Sequence, residues 1–184
     1  KLADVQALLK QPYFAKVVLQ FKPTDAPKEL YIGNAGIADE NYRRLVVDWR
    51  SPVANLYYSG QLGPMNYTAP DGEIKGELKL KRQFGIEQGE LKTIFDTDVV
   101  AQDAYLQSVL GAVGSDRLRE VVTTIQAEQN FVIRHKPDRA LIVQGVAGSG
   151  KTTIALHRIA YLLYAYQDKM RPEQMMIIAP NPLF

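Results

Sequence analysis

Residues 140–166 read ALIVQGVAGSGKTTIALHRIAYLLYAY: an apolar run, a glycine-rich turn and a helical pattern in unbroken succession. At the centre, Gly145-Val146-Ala147-Gly148-Ser149-Gly150-Lys151-Thr152 meets every fixed position of the GxxxxGKT phosphate-binding loop. The chemistry needs this order of residue types. Glycines at 145, 148 and 150 let the main chain curl until several N–H groups converge on one anion. The helix that starts at Lys151 adds the partial positive charge of its N-terminus. An ammonium at Lys151 can then reach the β- and γ-phosphates, and the Thr152 hydroxyl is placed to ligate Mg²⁺. Lys151 and Thr152 are thus the candidate catalytic residues, and Gly145, Gly148, Ser149, Gly150, Lys151, Thr152 and Thr153 the candidate phosphate-binding set. Strand and helix flanks are the context that gives the motif its meaning, so the chain reads as a nucleotide-binding protein.

Working outward, the pattern predicts a strand at 140–144, a helix from Lys151 to about Tyr166 and a second strand from Met175 to Ala179. That is the opening βαβ of a parallel sheet, with nucleotide at a strand's carboxyl end. Upstream, Val99 to Leu110 has apolar residues at helical spacing and meets Gly111 as a C-cap. Ser115 can cap a second helix that carries Leu118, Val121, Val122, Ile125 and Val132 on one stripe.

The first half reads as β. Phe14 to Gln20, Leu30 to Gly33, Arg44 to Trp49 and Asn55 to Ser59 are short runs rich in Val, Tyr and Leu, with Pro, Gly, Asn and Asp between them. Between Glu77 and Glu87, Leu78, Leu80, Phe84 and Ile86 fall on one face, opposite Glu77, Lys79, Lys81, Gln83 and Glu87. Gln88-Gly89 is a hairpin turn into Leu91 to Phe95, and Gly60 to Gly72 reads as a loop. The expected organisation is a small antiparallel β-rich module over 1–96, followed over 97–184 by a helical linker and an α/β phosphate-loop segment.

Composition narrows the class. Hydrophobic residues make up 46% of the 184 and the formal charge is +2, which is ordinary for a globular protein and does not announce a nucleic-acid surface. Cysteine is absent, so there is no disulfide framework and no thiolate metal site, as suits a cytoplasmic protein. No apolar run approaches the roughly 18 residues that would span a bilayer. The chain opens on Lys1 and stops at Phe184 just past a predicted strand, which suggests a fragment of a larger protein.

Many families carry this loop, and Gln129 helps to choose among them. It lies sixteen residues before Gly145, at the end of the amphipathic pattern, in TTIQAEQNFVIRHKPDRALIVQGVAGSGKTT. The arrangement resembles the Q motif of superfamily 1 helicases, in which a glutamine reads adenine. An amide offers one donor and one acceptor, matching the N7 and N6 edge of that base. Gln126 is the alternative, three residues too far from the loop. TTIALHRIAYLLYAY is similar to the UvrD and Rep pattern. A closer resemblance is to the helicase-IV-like HelD family, carried by YIGNAGIADE, LVVDWRSPVANLYY, GELKLKRQFGIEQGELKTIFDT and MMIIAPNPLF. It implies part of a RecA-like motor domain (its domain 1A), ATP and Mg²⁺ as cofactors, and an ATP-dependent, helicase-like hydrolase. It further implies RNA polymerase as partner, released from nucleic acid at the expense of ATP, with DNA or RNA as a further partner and no membrane. The alternative is a non-catalytic ATP-binding module for protein interaction; a small phosphate-loop kinase would need an acceptor pocket and lid that the sequence does not display.

Some features depart from the helicase pattern. Ala179-Pro180-Asn181-Pro182 stands where UvrD-like proteins have a Thr-Asn-Lys type segment, and Thr153 stands where they often have arginine. Leu45-Val46-Val47-Asp48 imitates a Walker B strand, but it precedes the loop by about a hundred residues and is followed by Trp49 where helicases use Glu. Asp48, Trp49 and Arg50 are expected to form a packed indole beside an ion pair, and Tyr57 and Tyr58 to pack a core. His157 and Arg158 are expected to pack or pair against a neighbouring domain. With neither a Walker B Asp-Glu nor an arginine finger in these 184 residues, the chain is expected to hydrolyse ATP poorly by itself.

Overall fold

The computed structural model describes residues 8–97, 125–146 and 148–178. They fall into two compact units, Lys1–Ile125 and Gln126–Phe184.

The first unit is built on a seven-stranded sheet. Its strands are β1 (Ala15–Gln20), β2 (Lys28–Gly33), β3 (Ile37–Ala38), β4 (Arg44–Asp48), β5 (Gly63–Ala69), β6 (Gly72–Glu87) and β7 (Glu90–Asp96). The order is β3-β4-β2-β1-β6-β5, with β7 also on β6. Glu77 and Leu78 of β6 pair with both β1 and β5, and Arg82 and Gln83 with both β1 and β7. So β5 and β7 lie in tandem along one edge of the long β6 while β1 covers the other. The expected all-antiparallel pairing holds except at β2 and β4, which run parallel because the chain crosses through β3 at the far edge.

Two expectations for this half fail for identifiable reasons. Asn55–Ser59, read as a strand, is a helix, α1. A strand would turn Tyr57 and Tyr58 to opposite faces, whereas Leu56, Tyr57 and Tyr58 are all buried, which a single helical turn achieves. The Lys81 ammonium donates to Tyr57 O at 3.1 Å and Gly60 O at 2.9 Å, closing carbonyls at the end of that turn. Residues 60–72, read as a loop, contain β5; Pro64 is compatible with it because β5 is a terminal strand with one edge free of ladder demands.

The alternation along β6 is also interrupted. Leu78 pairs with Leu19, Leu80 with Val18 and Lys81 with Val17, so Lys79 is the extra residue of a β-bulge. The bulge exchanges faces: Leu78 on one side of it and Lys81 and Gln83 on the other share the surface of Val17 and Leu19. Gln83, expected in water, is 2% exposed. Opposite lies a small aromatic cluster, with Tyr13, Tyr31 and Phe84 ring centroids 4.8 to 6.2 Å apart. The hairpin turn at Gln88-Gly89 is as read, both residues taking left-handed φ values of 52° and 85°.

The second unit comprises α2 (Ala127–Arg134), α3 (Lys151–Ala165) and a 3₁₀ turn at Pro172–Gln174. This corrects the expected α/β phosphate-loop fold. Residues 140–144 and 175–178 are not strands, and among the described residues no strand follows Asp96. Ile142 is 93% exposed and Ile178 88%, and among the described residues these apolar runs have no ladder partner. Hydrophobic β-branched sequence is necessary for a buried parallel strand but supplies only one member of each hydrogen-bonded pair. The sheet of this chain is the mixed one of its first half. The helix read from Ser115 through Val132 also changes: Gln126 is extended and α2 starts at Ala127. The predicted Val99–Leu110 helix, the Gly111 and Ser115 caps, Leu118, Val121 and Val122 lie outside the described residues.

Candidate nucleotide-binding site

Gly148 and Gly150 both have φ of 79°, a left-handed conformation that alternates along the loop and costs a side chain dearly. At Gly145 a Cβ would stand 2.8 Å from Ser149 Oγ, so the serine side chain would have to turn aside. The loop closes through Ser149 N–H donating to Val146 O at 3.3 Å. Gly150 is the N-cap of α3 and offers no side-chain cap, and the first helical bond shown is Ile154 N–H to Gly150 O. The N–H groups of Lys151, Thr152 and Thr153 therefore have no partner within the helix, at its positive end.

The Lys151 ammonium is folded into the loop, donating to Gly145 O at 2.9 Å and Val146 O at 2.6 Å, with Ser149 Oγ at 3.5 Å. Thr152 and Ser149 are exposed and Thr153 is half-buried. Left-handed glycines, first-turn amides without a partner in the helix and an ammonium drawn inward fit a phosphate chain, and the exposed Thr152 hydroxyl fits a hard cation brought with it. Among the described residues no group of three or more His, Asp or Glu side chains forms a metal site of its own.

Gln129 is placed in the first turn of α2, not at the end of a helix, and is half-buried. Its Oε1 accepts the Gln126 N–H at 3.1 Å, while the Gln126 side chain accepts the Gln129 N–H, a reciprocal cap. Arg158, expected to face another domain, instead serves this unit. Its Nη1 donates to Val132 O at 2.8 Å, Ile133 O at 3.3 Å and His135 O at 2.7 Å, closing the C-terminus of α2 from α3. Arg134 adds a second tie, its guanidinium 5.1 Å from the Tyr161 ring centroid. His157 is buried, and its Nδ1 donates to Thr153 O at 2.7 Å one turn back. Sequence reasoning passed over the role of Arg158 because the carbonyls it closes are 23 to 26 residues away.

The Walker B imitation has no catalytic capacity left. Asp48 Oδ1 accepts Arg50 N–H and Nε–H, each at 2.8 Å, and Oδ2 accepts Nη2–H at 2.6 Å, beside a buried Trp49. The packed indole and ion pair expected at this position are what the structure contains.

A sequence model of the DNA helicase IV HelD N-terminal domain matches residues 1–109, which include every strand of the sheet. The chain belongs to the HelD family. No curated protein matches it. Family membership through this domain places the protein with helicase-like proteins, and the matched residues end before the loop at 145–152. No helix among the described residues is long and apolar enough to cross a membrane.

Proposed function

We propose that residues 145–153 bind ATP with Mg²⁺ and that the protein serves a HelD-type, helicase-like motor in the cytoplasm. One observation carries the reading: Lys151 Nζ sits between Gly145 O and Val146 O, at the head of a helix whose first three N–H groups have no partner within the helix. A helix N-terminus with an ammonium beside it supports binding of an anion there.

In this reading the amides of Gly148 to Thr153 hold the phosphate oxygens, Lys151 neutralises charge on the β- and γ-phosphates, and Thr152 Oγ1 holds Mg²⁺. Bound there, the cation supplies further charge neutralisation on the triphosphate. Gln129 reads adenine. Turnover also needs a carboxylate to orient water and an arginine for the developing charge; Asp48 is committed to Arg50, so these 184 residues bind ATP and hydrolyse it slowly. RNA polymerase is the protein partner and DNA or RNA the nucleic-acid partner, both from family resemblance.

Calorimetry with Mg·ATP tests the site. The wild-type chain binds, and Lys151→Ala weakens binding by about a hundredfold, on the order of 3 kcal/mol. Trp49 fluorescence stays unchanged, because the lysine's bonds among the described residues are to atoms of its own loop. Equal affinity of the two proteins would sink the assignment. Co-purification of polymerase with the encoded protein tests the partner.

A further inference from the structure

His157 is buried in α3, 7% exposed, and its Nδ1 lies 2.7 Å from Thr153 O one turn back. A carbonyl only accepts, so Nδ1 carries the proton. The helix ladder already sends the main-chain N–H of residue 157 to that oxygen, so the ring supplies a second donor that the ladder does not require. A peptide group is one resonance unit, and a donor on its oxygen sharpens the polarity of its own N–H. Thr153 C=O shares its peptide with the Ile154 N–H, which donates to Gly150 O at 2.9 Å. Gly150 C=O in turn shares its peptide with the Lys151 N–H, which has no partner within the helix. We propose that His157 is a positioning residue for the triphosphate grip, its ring N–H acting through the Thr153 and Gly150 carbonyls to strengthen the Lys151 main-chain N–H as a donor to phosphate. This rests on the reading that the loop binds ATP.

Hydrogen bonds in series strengthen one another by roughly 10–30% per bond. Along an α-helix they run in separate series that step by three residues, because the peptide accepting from residue i donates through residue i−3. The series through 157, 154 and 151 takes up the ring N–H. Those that end at the Thr152 and Thr153 N–H groups do not pass through the Thr153 carbonyl. The effect of His157 is therefore confined to one amide of the first turn, a pattern that loosening of the whole helix would not produce.

Leucine and asparagine have the same branched shape, and of the two only asparagine puts an N–H where Nδ1 stands. Both lack the ring, so its magnetic field drops out when the two are compared. Wild type, His157→Leu and His157→Asn are titrated with Mg·ATP by calorimetry, their amide proton shifts are measured by NMR, and helical circular dichroism checks folding. His157→Leu binds about threefold more weakly than wild type, and His157→Asn restores the affinity. The Lys151 and Ile154 amide protons lie further downfield in His157→Asn than in His157→Leu, with Thr152 and Thr153 alike in both. If His157→Leu loses its helical signal, His157→Met replaces it in the comparison. Equal affinity of the leucine and asparagine variants overturns the proposal, as does an equal displacement of all three first-turn amides. A wild type that does not bind Mg·ATP refutes the ATP-binding reading itself, whereas a wild type that binds while the variants do not differ refutes the role of His157 alone.

Discussion

The two units contain similar apolar sequence and treat it oppositely. In the sheet unit Phe14, Val17, Leu19, Ile32 and Leu78 are fully buried, whereas in the loop unit Ile142, Val146, Met176 and Ile178 are mostly in water and Ile133 is the one fully buried apolar side chain among the described residues. The difference is one of partners. Every strand of the first unit has a neighbour to take its N–H and C=O groups, while among the described residues the runs at 141–144 and 175–178 have no strand beside them and are mostly exposed. Order in the second unit comes from local devices: a reciprocal cap, a guanidinium on helix-end carbonyls, and glycines whose φ fixes a loop. The first unit is held by burial and the second by directed polar bonds.

That contrast can be broken most sharply by truncation. Leu78→Ala removes a core side chain and destabilises the sheet unit by about 3 kcal/mol. Trp49, buried in that unit and the single tryptophan, reports this in denaturant unfolding. Ile142→Ala removes a side chain already in water and changes stability by less than about 0.5 kcal/mol. A large effect at Ile142 would show that its run has a covering partner after all.

Removing polar ties has a smaller effect. Lys81→Ala leaves Tyr57 O and Gly60 O without their donor under partly buried conditions and costs about 2 kcal/mol. Arg158→Ala removes a donor shared among three carbonyls at a helix end, costs about 1 kcal/mol and lowers helical circular dichroism while Trp49 fluorescence is unchanged. Loss of the Trp49 signal in Arg158→Ala would erase the distinction between the units.

The smallest effect concerns acid. Asp96 is held below its ordinary carboxyl value chiefly by the hydrogen bond from Arg82, with the charges of Arg82 and Lys16 adding to it. A carboxylate with a depressed folded value stabilises above the unfolded value near 4 and loses that contribution as pH falls through the folded one. Because Asp96 is exposed, solvent and salt screen most of it. Asp96→Asn therefore lowers stability slightly at pH 7 and low salt, and its difference from wild type vanishes as pH falls well below about 4, which flattens the acid limb. A variant that destabilises equally at both pH values would contradict the assignment.

Legibility in the sequence follows the same division. β1, β2, β4 and β7 could be read because Val, Tyr and Leu at short range favour a pleated, half-buried surface. α1 could not, since a five-residue helix has no period to detect and is held by a lysine 21 to 24 residues away. Nor could the bulge at Lys79, a local insertion that reverses which residues of β6 face inward. The turn at 148–150 was readable because the left-handed φ of Gly148 and Gly150 is written in residue identity. The missed signal was the Gln-x-x-Gln spacing of 126 and 129, a start-of-helix pattern that begins α2 at Ala127, directly after residues taken as helical interior. The predicted βα-β order went wrong because propensity describes one strand and a sheet needs two.

Hydrogen exchange of the wild-type chain with and without Mg·ATP tests most directly whether the loop unit grips the triphosphate through its main chain. The account predicts slowed exchange at the amides of Gly148 to Thr153, with β1 to β7 unchanged. Exchange at those loop amides that is identical with and without Mg·ATP would contradict it.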